Sequence, residues 1–170
     1  MGYKEGMIRT ILMGAVLVAG PPTHRDGAAM NGARMGGRRA VAMHHAAGTF
    51  EVKMKPEPLS EVAGKTAIMR MSIDKVFHGQ LEGTSQGEFL ATGSADGSGG
   101  YVAMERVTGT LDGKAGSFVF QHSATMNKKV PTLSVTVVPD SGTGELVGLA
   151  GTFNIIIEGG KHSYAFDYSL

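Results

Sequence analysis

The stretch "AMERVTGTLDGKAGSFVFQHS", residues 103–123, reads as a β-hairpin. Apolar and polar residues alternate up to Asp112-Gly113 and alternate again on the way back, the period of two expected of half-buried strands. Asp-Gly suits a type I′ turn, which needs positive φ at both central positions. With that turn, Leu111 pairs with Lys114, Val107 with Phe118, Glu105 with Phe120 and Ala103 with His122. Tyr101, Ala103, Glu105, Val107, Phe118, Phe120 and His122 then share one face, and Arg106, Thr108, Ser117 and Gln121 the other. Because Phe118 and Phe120 favour burial, Glu105 and His122 are expected inside with them.

The C-terminal segment repeats the pattern. Folding about Gly159-Gly160 places Phe153, Ile155, Ile157, His162, Tyr164, Phe166 and Tyr168 on one face. A slip of one residue would turn that whole set to solvent, so the pattern selects the register. From Gly48 onward, period two predicts strands at 48–55, 66–78, 81–91, 100–111, 114–125, 132–138, 146–158 and 161–169. The prolines of this region (Pro56, Pro58, Pro131 and Pro139) all fall at strand boundaries, where a missing N–H is tolerated. About eight antiparallel strands on short turns predict an all-β fold, a single closed barrel that leaves no exposed sheet edge. A barrel of that size is either filled by side chains or holds one small ligand.

Bulk properties narrow the function classes. The 170 residues suit one domain, and the absence of Cys excludes disulfides, thiolate metal sites and cysteine nucleophiles. A net charge of +1 gives no overall attraction for nucleic acid. The charge is uneven, with residues 1–47 carrying +4 and the rest −3. The apolar run "ILMGAVLVAG" (11–20) is too short to span a bilayer, so no membrane partner is expected, but it could serve as the core of a secretory signal. Residues 1–47 are read as an extension outside the fold: a signal with a spacer, a disordered tail, or sequence upstream of a natural start at Met43. Residues 48–170 are read as the barrel domain.

Several blocks of that domain resemble one family: "GTFEVKMKPEP" (48–58), "FHGQLEGTSQGEFL" (77–90), "GYVAMERVTGTLDGKAGSFVFQH" (100–122), "VVPDSGTGELVGLAGTF" (137–153) and "HSYAFDYSL" (162–170). Together they resemble the bacterial domain-of-unknown-function 3224 family (DUF3224). The resemblance implies a small barrel similar to allene oxide cyclase-like and, broadly, calycin-like barrels, and it implies no established activity. Relatives starting just before a "GTFEV"-like strand favour Met43 as the natural start, and with it a cytoplasmic location; a true signal in 1–20 would instead mean secretion or the periplasm. Better-understood barrels of this kind bind or cyclise apolar small molecules, an analogy of fold alone.

The candidate site is Glu105 and His122, diagonal neighbours across the hairpin, with Tyr101 and Tyr164 as hydroxyl donors. The pair reads either as an acid/base or polar anchor for a ligand, or as a structural ion pair holding the barrel in register. As a couple it predicts a His122 imidazolium held above the usual value of about 6.5. Three functions compete: binding of an apolar small molecule, cofactor-independent isomerisation or cyclisation, and a packed barrel acting through its surface or as a homo-oligomer. Gly83-Thr84-Ser85-Gln86-Gly87 matches G-x-S-x-G but lacks the following helix that a nucleophile elbow needs. Asp140-Ser141-Gly142 is read as a turn rather than half of an aspartic dyad. "GSADGSGG" (93–100) lacks the Lys and helix of a phosphate loop and reads as a flexible loop, Lys128-Lys129 as a solvated one. His44, His45, His78, His122 and His162 show no ligand spacing, so neither metal nor cofactor is expected.

Overall fold

The structure, a computed structural model, describes residues 42–61 and 68–170. Eight strands follow one another: β1 (His44–Glu57), β2 (Ile68–Gly79), β3 (Leu81–Gly93), β4 (Gly99–Leu111), β5 (Lys114–Asn127), β6 (Val130–Val137), β7 (Ala150–Glu158) and β8 (Lys161–Ser169). Each pairs antiparallel with its chain neighbour, and β8 returns to β1 to close the barrel. The only helical element among the described residues is a 3₁₀ turn at Gly144–Leu146, so no described helix could cross a membrane.

Both hairpins adopt the register their side chains require. Val107 pairs with Phe118, Glu105 with Phe120 and Ala103 with His122. Asp112 and Gly113 have φ of 47° and 80°, the positive pair a type I′ turn needs. In the last hairpin Phe153 pairs with Phe166 and Ile155 with Tyr164, about Gly159-Gly160 with φ of 57° and 79°.

Two strand starts differ from the sequence reading by four residues. Strand β1 starts at His44, so residues 44–47 belong to the barrel and not to an extension. Ala46 is fully buried and pairs with Phe166. Small residues there give little hydrophobic alternation, and β8 supplies the pairing that the local sequence does not advertise. Strand β7 starts at Ala150, not at 146. Ahead of it the chain runs along the edge of β5, where Ser141, Thr143 and Glu145 accept the N–H groups of Val119, Ser117 and Ala115 at 3.0, 3.0 and 2.8 Å. This side-chain ladder reinforces a weak seam, because β6 and β7 share only the pairing Thr136 to Thr152. It also accounts for Asp140-Ser141-Gly142: Asp140 turns the chain at φ 59° and Ser141 caps β5. Readings placed on residues 1–41, and the predicted start of β2 at 66, lie outside the described residues.

The interior is unevenly filled. At the end bearing the Asp112-Gly113 turn, a large aromatic cluster includes Phe77, Leu81, Leu111, Phe118, Phe153 and Phe166, plugged by Leu146 and Leu149. A smaller cluster of Met71, Ile73, Phe89, Ala91 and Ala103 lies toward the other end. Between them in strand order stand the buried polar residues Lys75, Ser85, Glu105 and His122.

Candidate functional site

Period two explains how the polar layer is built. In β2 the inward series is Met71, Ile73, Lys75, Phe77, and in β4 it is Ala103, Glu105, Val107. In β3, Gly83, Ser85 and Gly87 occupy successive positions on the inward-facing side, so the G-x-S-x-G match is a stripe of small residues rather than a nucleophile elbow. Gly87 pairs with both Ile73 and Glu105. With no Cβ at Gly87, β3 lies close against β4 at Glu105, and Lys75 reaches Glu105 across β3 from two strands away.

Glu105 is the hub. Lys75 Nζ donates to its Oε2 at 2.7 Å, and the Ser85 hydroxyl donates to its Oε1. Lys75 Nζ also lies 5.0 Å from the ring centre of Phe50 and 5.8 Å from that of Phe77, within cation–π range. Burial pushes the Glu105 carboxyl up, but the Lys75 charge and the contacts with His122 outweigh it and hold the group at about 2. Glu105 is therefore ionised at neutral pH, with Lys75 as its counterion.

His122 does meet Glu105, but not as the expected cation. Its Nε2 lies 3.0 Å from Oε2. The contact lacks hydrogen-bond alignment, leaving Nε2 a buried polar atom without a hydrogen-bond partner. Burial, reinforced by the Lys75 charge, lowers the His122 pKa against the opposing pull of Glu105. The expected imidazolium is thus corrected to a neutral imidazole, because the lysine supplies the positive charge the carboxylate requires.

The open half of the barrel holds a pocket of about 50 Å³ that opens to solvent. Its walls include Phe50, Val52, Ile73, Phe89, Leu133 and Ile155, and its polar lining is Lys75, Tyr101, His122 and His162. Glu105 is fully buried behind these and does not line the pocket. Tyr101 packs on Phe89 with ring centres 4.6 Å apart. Burial, then the Glu105 charge, pushes its phenol up to about 12, so it remains a neutral donor. Burial and Lys75 lower the pKa of His162. Tyr164 is placed elsewhere, at the packed end, where its hydroxyl accepts the Leu81 N–H at 2.9 Å. No group of three or more potential metal ligands occurs among the described residues.

The structure thus brings Glu105, His122 and Tyr101 into one region and separates Tyr164 from it. Lys75 and Ser85 were missed as members of the site. The signal for Lys75 was present, a lysine in register between Ile73 and Phe77.

These features define a small closed antiparallel barrel, packed at one end, open at the other, with a charged layer between. The sequence profile of the family described as "Protein of unknown function (DUF3224)" matches residues 46–168, and the chain belongs to that family. A crystal structure of a DUF3224 protein of unknown function from Shewanella oneidensis MR-1 is similar, with 45% sequence identity and a TM-score of 0.70 over 76% of this chain and 98% of that one. No curated protein matches the chain.

Proposed function

We propose that the barrel binds a small, mostly apolar molecule in its open half, with the ligand's polar head toward Lys75, His122 and Tyr101. The observation that carries this reading is the contrast between the two halves: one packed with aromatic rings, the other a pocket with apolar walls and a few converging polar groups. The likeness to allene oxide cyclase-like and calycin-like barrels is consistent with this use but rests on fold. A neutral imidazole at the pocket wall also supports a second reading, a cofactor-independent isomerase or cyclase with His122 moving the proton. It ranks below binding because the Glu105 carboxylate is withdrawn from the pocket. A barrel packed throughout is less well supported, since the open half leaves its polar groups facing free space.

Titration with the uncharged fluorophore 1-aminoanthracene tests the binding reading. Saturable one-to-one binding is expected, and Leu133→Trp, which fills the pocket from β6, should weaken it by about tenfold or more, equivalent to ~1.4 kcal/mol. Absence of saturable binding, or undiminished binding to a folded Leu133→Trp protein, would refute the pocket.

A further inference from the structure

Lys75 is the only buried lysine among the described residues. It lines the pocket on one side and touches the carboxylate of Glu105 on the other. An amine in that position can do more than hold charge. We propose that Lys75 captures an apolar aldehyde or ketone as a reversible imine, with Glu105 as the counterion of the resulting iminium. The proposal rests on the reading of the open half as a small-molecule pocket and names the chemical class of its ligand.

Three features of the site favour this chemistry. First, the charge is the same before and after, because an ammonium is replaced by an iminium beside the same carboxylate. The buried ion pair therefore survives the reaction. Second, the faces of Phe50 and Phe77 accommodate a cation at that point whether it is ammonium or iminium. Third, a neutral imidazole stands beside the same carboxylate oxygen that Lys75 contacts.

The step balances as follows. The Lys75 ammonium gives one proton to the His122 imidazole. The free amine attacks the carbonyl carbon, forming a C–N bond, and a second proton moves from nitrogen to the former carbonyl oxygen. The His122 imidazolium then protonates that hydroxyl, which leaves as water while the C=N bond forms. The third proton stays on the iminium nitrogen, facing Glu105. No oxidant, reductant or metal is required. The aliphatic walls, Val52, Ile73, Leu133 and Ile155, would take the hydrocarbon part of the ligand.

The test uses the full chain and decanal, with decanol as a ligand of the same length that cannot form an imine. Both should displace 1-aminoanthracene. Sodium cyanoborohydride should trap decanal as a secondary amine, with a mass gain equal to the aldehyde less one oxygen atom. Peptide mapping should place the adduct on Lys75 with occupancy about tenfold above exposed lysines such as Lys53 and Lys114, because the pocket holds the aldehyde beside the Lys75 amine. Lys75→Arg retains the charge for Glu105 but offers no primary alkylamine, and should lose the trapped adduct. Displacement by both ligands with no preferential adduct on Lys75 would overturn the imine and leave the pocket standing. Failure of both ligands to displace the probe would overturn the pocket reading and the imine with it.

Discussion

Replacing Lys75 with Met probes the charged layer most directly. The side chains are similar in length, so the change mainly removes the ammonium and leaves Glu105 buried with Ser85 and a misaligned His122. In the native barrel the Glu105 carboxyl lies at about 2, against an ordinary value of 4.5. At ~1.4 kcal/mol per pH unit, a difference of that size corresponds to about 3 kcal/mol of stability at neutral pH. Removing one partner of a buried pair costs about 3–5 kcal/mol, which sets the loss expected of Lys75→Met near neutrality. Because the folded-state value is depressed, this stability is present above ~4.5 and is lost as pH falls toward 2. The deficit of Lys75→Met should therefore be largest near neutrality and shrink in acid. His122 should reverse its behaviour. In the native protein its lowered pKa means that stability declines as pH falls below ~6.5. Beside an unpaired Glu105 it becomes the counterion within reach, so its pKa should rise, giving stability below ~6.5 that is lost as pH climbs through the raised value. Urea denaturation from about pH 2.5 to 8, with NMR titration of His122 in both proteins, reads both effects. A loss below about 1 kcal/mol, or a His122 titration that Lys75→Met leaves unmoved, would show that the lysine is not the partner that holds Glu105 ionised.

Two further substitutions test the scaffold around the site. Phe120→Ala removes a ring buried against Phe118, Phe153 and Phe166 and should cost about 3–5 kcal/mol in urea denaturation; a loss under 1 kcal/mol would contradict the β4–β5 register. Gly87→Ala would place a Cβ 2.3 Å from the Met104 carbonyl oxygen and 2.8 Å from the Glu105 Cα. It should destabilise the barrel by about 1–3 kcal/mol and raise the Glu105 pKa, measured by carboxyl NMR, because β3 and β4 must move apart. An unchanged Glu105 titration would mean that the close approach of β3 to β4 at Gly87 does not set the surroundings of the carboxylate.

The limits of sequence reading here follow from the distances over which the physics acts. The β4–β5 and β7–β8 hairpins were legible because their turns are Gly-bearing and their aromatic rings leave only one register with a buried face. The same alternation placed Glu105 and His122 inside, and both are there. The protonation state of His122 was misread because an ion pair was sought across the nearest strand pairing. Its true cation comes from β2, two strands from Glu105, and reaches the carboxylate across β3. Hairpin reasoning sees neighbouring strands, whereas a closed barrel brings every inward side chain to a shared interior, where charge balance is settled among all of them. Lys75 stands in register with Ile73 and Phe77, and an inward lysine requires a carboxylate. Glu105 is the buried carboxylate available to it among the described residues. Charge conservation inside the barrel therefore pairs the two residues before any distance is measured. It leaves His122 as the neutral member, with its ring at the pocket wall.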